Sequence, residues 1–146
     1  MTVIHNDYKY DNVMLDAADL TQIVAVLDWE MATIGDPLMD LGTSLGYWVE
    51  ATDPLALQHA AFGPTALPGS ITRQELVNRY RERTGVTVSD VIFYYCFGLF
   101  KLAVIVQQIY TRFVRGHTTD PRFAHLDQLV FLLGEQADQT LQSGKF

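Results

Sequence analysis

The sequence has a single cysteine, Cys96, in 146 residues. An intramolecular disulfide is therefore excluded, which fits a reducing cytoplasm. Cys96 sits in the most apolar stretch and reads as a small buried hydrophobe. Clustered positive charge is also lacking: 10 basic residues stand against 17 acidic ones, for a net charge of −7. That balance argues against nucleic acid or an anionic membrane as partner. It would suit a cationic substrate, although solubility accounts for it equally well. No basic stretch followed by an apolar run opens the sequence, so no signal peptide is expected. The ten glycines are scattered and nowhere form G-x-G-x-x-G, so no glycine-rich phosphate loop is expected. No apolar run reaches the roughly 20 residues of a membrane span. Residues 91–106 come nearest but carry Lys101 at their centre, and they read as a buried central helix.

The chain does carry enough apolar sequence for a folded domain. Hydrophobic residues make up 49% and charged residues 18%, a globular balance at single-domain length. Residues 1–30 read as β. Val13-Met14-Leu15 is a short strand, Asp16 to Thr21 supply turn chemistry, and the β-branched run Ile23–Leu27 is expected to be a buried strand. From residue 36 the pattern turns helical. Asp36-Pro37 predicts an N-cap and first helical position for a helix reaching about Val49. Residues 51–70 hold three of the five prolines and read as a long loop with one turn of helix. Thr72 and Glu75 predict a capping box, and Gly85 the end of that helix. Ser89 is expected to cap a long helix ending at Gly116. A last helix is predicted from about Arg122 to Ser143, with Leu126, Leu129, Val130, Leu133 and Ala137 on one face.

The chemistry is concentrated near the start. His5-Asn6-Asp7-Tyr8-Lys9-Tyr10-Asp11-Asn12 is followed, 16 residues after Asn12, by Asp28 in Leu27-Asp28-Trp29-Glu30. Phosphoryl transfer needs a carboxylate to orient the attacking hydroxyl, a cation on the moving phosphate, and hard oxygen ligands for Mg²⁺. Asp7, Lys9, Asn12 and Asp28 supply these groups in that order. The intervening hairpin is expected to bring Asn12 and Asp28 to one site. The pattern His-x-Asp-x4-Asn alone is weak, because it recurs by chance. Three elements in order are specific: His5–Asn12, then Val26–Glu30, then Gly35-Asp36-Pro37-Leu38-x-Asp40-Leu41.

Over residues 5–48 these motifs resemble the aminoglycoside phosphotransferase and choline kinase-like family of kinase-like enzymes. The resemblance implies an α+β, mainly α-helical fold. It would be a kinase-like C-terminal lobe, with a short hairpin carrying the catalytic and metal residues over 1–35 and a helical subdomain over 36–146. It implies Asp7 as catalytic base, Lys9 on the γ-phosphate, and Asn12 and Asp28 as Mg²⁺ ligands. His5, Asp36 and Asp40 would support the loop, His5 by packing and backbone hydrogen bonds and Asp36 also as a plain N-cap. Glu30 and Trp48 are candidate substrate contacts. Asn6 stands where the family usually has Gly, a mild departure because Asn tolerates unusual backbone angles. Tyr47, Trp48, Tyr94, Tyr95, Tyr110 and Phe113 would suit an acceptor pocket, with core packing the default reading. His59, His117 and His125 have no metal-ligand spacing.

The family's nucleotide-binding N-terminal lobe has no counterpart in these residues. The implied activity is Mg²⁺- and ATP- (or GTP-) dependent phosphoryl transfer to a hydroxyl of a small molecule, weak or absent for this segment alone. The alternative is a non-catalytic remnant or binding domain of a truncated kinase-like protein. An apolar face is expected where the lobe would dock, covered by a lobe in cis or in trans or by a second copy in a homodimer.

Overall fold

The computed structural model describes residues 1–61 and 63–146. It is mainly helical, with its short strands confined to the N-terminal 35 residues among those described. β1 (Thr2–Ile4) pairs antiparallel with β4 (Thr33–Gly35), and β2 (Val13–Leu15) with β3 (Ile23–Val26). The β2–β3 turn is built from side chains. Asp16 accepts from the backbone N–H groups of Ala18 and Asp19, and Asp19 accepts from Thr21. Short 3-10 turns at Tyr10–Asn12 and Trp29–Met31 precede β2 and follow β3.

The helices are α1 (Pro37–Tyr47), α2 (Leu55–His59), α3 (Arg73–Thr84), α4 (Val91–Val114) and α5 (Leu126–Ser143). The carboxylate of Asp36 accepts from the Leu38 N–H at 2.9 Å and so caps α1. Thr72 and Glu75 form the reciprocal capping box of α3, and Gly85 closes that helix at φ 69°. α4 packs against both α1 and α5. Leu38, Leu41 and Leu45 of α1, Val77 of α3, Tyr95, Leu99, Leu102 and Val106 of α4, and Leu129 and Leu133 of α5 form one core. Each such aliphatic side chain contributes roughly 1.5–3 kcal/mol by leaving water. α1 and α4 cross at two glycines. A Cβ on Gly42 would collide with the Tyr94 carbonyl, and one on Gly98 with the Gly42 carbonyl.

Several expectations are corrected. The run at Ile23–Leu27 is a strand only to Val26, and it is not buried: Ile23 and Val24 are about half exposed, because β2–β3 is a two-stranded ribbon that no further strand or helix covers there among the described residues. The pair β1–β4 is not among the expectations, since three-residue strands separated by residues 5–32 leave little periodicity. α1 stops at Tyr47, not Val49. Asp90, in a left-handed conformation and without a side-chain cap, occupies the N-cap of α4 in place of Ser89. α5 begins at Leu126, because Asp120-Pro121-Arg122 closes its own 3-10 turn first. α4 is long and apolar enough to cross a membrane by length and composition, yet it is buried on one face only, with Phe93, Phe100 and Val104 exposed. Cys96 is half-buried, and burial pushes its thiol up.

Candidate functional site

Residues 5–12 leave β1 as a loop fixed from three sides. The Asp40 carboxylate on α1 accepts from the backbone N–H groups of His5 (2.6 Å) and Asn6 (2.5 Å). Asn6 takes φ 68°, a left-handed conformation that Asn adopts more readily than most residues. His5 is 4% exposed. Its Nε2–H donates to the Leu27 carbonyl at 2.7 Å, and its Nδ1 accepts from the Asp7 N–H at 3.2 Å, which sets the tautomer. Its ring lies 4.7 Å from that of Trp29. One imidazole thus ties the Asp7 loop to the segment that carries Asp28.

Three donors converge on the Asp7 carboxylate. Lys9 Nζ and Asn12 Nδ2 donate to Oδ2 at 2.8 and 2.9 Å, and the Tyr47 hydroxyl donates to Oδ1 at 2.6 Å. Burial alone would raise the Asp7 carboxyl. The hydrogen bonds from Lys9, Tyr47 and Asn12, with the charge of Lys9, outweigh it and hold the group below the usual aspartate value. Tyr47 is driven the other way, first by burial and then by its bond to Asp7, so it remains a protonated donor. Lys9 also lies 4.9 Å from the centre of the Tyr47 ring.

Asn12 is buried, at 7% exposure, and both its bonds to Asp7 use the amide nitrogen. Its amide oxygen is the atom with a metal ligand's chemistry. Asp28 follows Leu27, whose N–H donates to the Asn12 carbonyl at 2.8 Å, so the hairpin ends do meet. Asp28 is exposed and left-handed, at φ 62°. An amide oxygen and a carboxylate are the hard donors that Mg²⁺ takes when waters and phosphates complete its shell. No group of three His, Cys, Asp or Glu side chains placed for a metal occurs among the described residues. The Asn12 and Asp28 oxygens alone would supply only part of such a cation's shell.

Beside Lys9 opens a cavity of about 540 Å³. Lys9, Tyr10, Ser44, Tyr47 and Trp48 are among the residues that line it, while Ile4, Val13, Leu41 and Leu76 make much of the wall apolar. The Trp48 indole N–H donates to the Ile71 carbonyl at 2.8 Å, which orients the ring facing Tyr10. Glu30 is exposed and is not part of that wall. Asp36, besides capping α1, accepts from the Tyr94 hydroxyl at 2.8 Å. His59, His117 and His125 are exposed. Two residues of the site escaped the sequence reading. Tyr47 stands in the aromatic set that would suit an acceptor pocket, with packing its default reading, and its spacing from Asp7 carries no signal of the bond between them. Lys101 read only as a charge inside an apolar run, yet its ammonium reaches Asn6. A lysine isolated in such a helix was the available clue.

The phosphotransferase enzyme family matches residues 1–71. A candidate aminoglycoside phosphotransferase of Ralstonia eutropha JMP134, known from its crystal structure, superposes with a TM-score of 0.74 at 27% identity, over 97% of this chain and 42% of that one. Curated relatives include mouse acyl-CoA dehydrogenase family member 10, 29% identical over 93% of this chain, and human acyl-CoA dehydrogenase family member 11, 32% identical over 80%. The chain spans only 13% and 15% of the length of those two proteins. The family model covers the N-terminal part that holds the Asp7 loop, and the structural likeness extends over nearly the whole chain, so the chain is similar to the phosphotransferase enzyme family in both sequence and fold.

Proposed function

We propose that this chain carries the catalytic-loop half of a small-molecule kinase, which transfers the γ-phosphoryl group of ATP or GTP to a hydroxyl. The observation that carries the reading is the Asp7 carboxylate. Two oxygens offer about four acceptor positions, and Lys9, Asn12 and Tyr47 occupy three of them. Oδ1 retains room for one more donor, which an acceptor hydroxyl fits. Held ionised, Asp7 orients that hydroxyl and takes its proton as the bond to phosphorus forms. Lys9 lines the cavity and exchanges Asp7 for a phosphate oxygen. Asn12 and Asp28 would hold Mg²⁺, which when bound neutralises charge on the nucleotide phosphates. His5, Asp36 and Asp40 keep the loop and the start of α1 in register. In this reading, residues 1–35 carry the chemistry and the helices support it.

For the acceptor we favour a hydroxyacyl compound over a polycationic sugar. The apolar wall of the cavity supports this, together with the acyl-CoA dehydrogenase names of the curated relatives, of which this chain matches a small part. Trp48 would contact the acceptor. A nucleotide-binding lobe, in cis or in trans, would complete the site over the exposed β2–β3 ribbon.

Calorimetric titration with Mg²⁺ and ATP, against Asp28→Ala, tests the reading. Saturable, Mg²⁺-dependent binding that the variant loses is expected. A folded wild-type chain that captures no nucleotide, alone or with a nucleotide-binding lobe added, overturns it in favour of a non-catalytic binding domain.

A further inference from the structure

Asn6 holds the left-handed φ of 68° that glycine adopts most readily, and its side chain makes contacts that a glycine could not. The side-chain amide of Asn6 is engaged at both ends. Its Nδ2 donates to the Met31 carbonyl at 3.0 Å, and its Oδ1 accepts from Lys101 Nζ at 3.2 Å. Lys101 also donates to the Asn6 backbone carbonyl at 2.5 Å, across 95 residues of sequence. Since an ammonium can only donate, it orients the amide oxygen toward α4, and the amide N–H is left to reach Met31. Met31 ends the turn that begins after Asp28, and Asn6 directly precedes Asp7.

We infer that Lys101 is a positioning residue for phosphoryl transfer, acting through Asn6 to lock the Asp7 loop and the Asp28 segment to each other and to α4. The inference rests on the proposed kinase reading for its catalytic consequence, but not for its structural one. The site asks for such a lock. Asp7 and Asp28 lie on separate excursions from two small sheets, neither of which contains both residues. His5 joins the two segments beneath the carboxylates, and Asn6 with Lys101 joins them a second time. Lys101 is half-buried. Burial lowers its ammonium while the charges of Asp40 and Asp7 oppose that shift. An amine held in such a place, with two oxygen acceptors and acidic neighbours, is set for a fixed geometry rather than for solvation.

Three variants separate this from ordinary packing. Lys101→Met keeps the stem and removes the donors. Lys101→Arg keeps the charge and donors. Asn6→Gly keeps the left-handed backbone and removes the bridge to Met31. Amide hydrogen exchange is read over residues 5–12 and 28–33, alongside steady-state kinetics with Mg²⁺, nucleotide and a hydroxylated acceptor. Lys101→Met is expected to speed exchange about tenfold or more in both segments while α4 and α5 stay protected. It should lower kcat by about tenfold or more with KM for the acceptor changed less than about twofold, since misplacing a reacting group by about 1 Å costs on the order of a hundredfold. Lys101→Arg should recover part of both effects. Asn6→Gly should loosen residues 28–33 more than residues 5–12. Unchanged exchange in Lys101→Met, or loosening that spreads equally into α4 and α5, overturns the inference. A wild-type chain without turnover even with a nucleotide-binding lobe added defeats the kinase reading alone, because the exchange comparison still decides the role of Lys101.

Discussion

The Tyr47 hydroxyl donates to Asp7 Oδ1 at 2.6 Å from a position 40 residues further along the chain. The bond joins the last residue of α1 to the loop that α1 already braces through Asp40. One helix therefore sets both the backbone of the loop and the direction of its carboxylate. Tyr47→Phe removes the donor and leaves the ring. A hydrogen bond to a charged group is worth roughly 1.5–3 kcal/mol, so a fall in kcat/KM of roughly ten- to 150-fold is expected. Activity at the wild-type level would mean that Lys9 and Asn12 suffice to aim Asp7.

The low Asp7 value makes stability depend on acid in a definite direction. A carboxylate lowered in the folded state contributes stability that is fully present above its unfolded value of about 3.9. That stability is lost as the pH falls through the lower folded value. Burial opposes the lowering, and Lys9, Tyr47 and Asn12 produce it. Tyr47→Phe and Lys9→Met should thus unfold at higher pH than the wild type on acid titration, and Asp7→Asn should flatten the profile. Urea midpoints collected between about pH 3 and pH 7 measure this. A profile for Asp7→Asn that parallels the wild type would remove Asp7 from the linkage.

Arg73, at 2% exposure, is the most deeply buried charge among the described residues. It pairs with Asp53 and Glu50, donates through Nε to the Trp48 carbonyl at 2.7 Å, and lies 5.1 Å from the centre of the Tyr95 ring. The network clamps the segment after α1 to the start of α3, and with it the Trp48 side of the cavity. Arg73→Met strands two carboxylates. Breaking a buried pair costs about 3–5 kcal/mol, and denaturant unfolding should register a loss of that size. Replacing Arg73, Glu50 and Asp53 together with apolar residues should cost much less. If the single and the triple variants were equally unstable, packing rather than stranded charge would be the cause.

What could be read in the sequence was local. Asp36-Pro37, the Thr72–Glu75 box and Gly85 each act within one turn of chain, and each sits where that chemistry puts it. The catalytic-loop motif was legible because Asp7, Lys9 and Asn12 meet over a few residues. The rest depends on contacts between distant segments. A β-branched run such as Ile23–Val26 looks the same whether or not another layer covers it, so its exposure had no signature. Ser89 and Asp90 are both good caps on propensity, and the backbone alone decides between them. The bonds from Tyr47 to Asp7 and from Lys101 to Asn6 follow from the crossing of α1 and α4, which no single element encodes.

That crossing supports a last prediction. Gly42 and Gly98 face each other's helices so closely that a methyl group on either meets backbone rather than a flexible side chain. Backbone cannot rotate away, so the helices must separate, and overpacking of this kind costs typically 1–3 kcal/mol and occasionally more. Gly42→Ala and Gly98→Ala should each destabilise by that amount, although alanine favours a helix by about 1 kcal/mol over glycine. Gly134→Ala in α5, where an added Cβ meets nothing within 4 Å, should instead stabilise. The consequence reaches the site, because α1 carries Asp40 and Tyr47 while α4 carries Lys101. Separating the helices pulls the three supports of the Asp7 loop apart, so activity should fall further in the Gly42 and Gly98 variants than their remaining folded fraction explains. Activity that tracks the folded fraction alone, measured at several urea concentrations below the unfolding transition, would show that the loop holds its geometry without the close crossing.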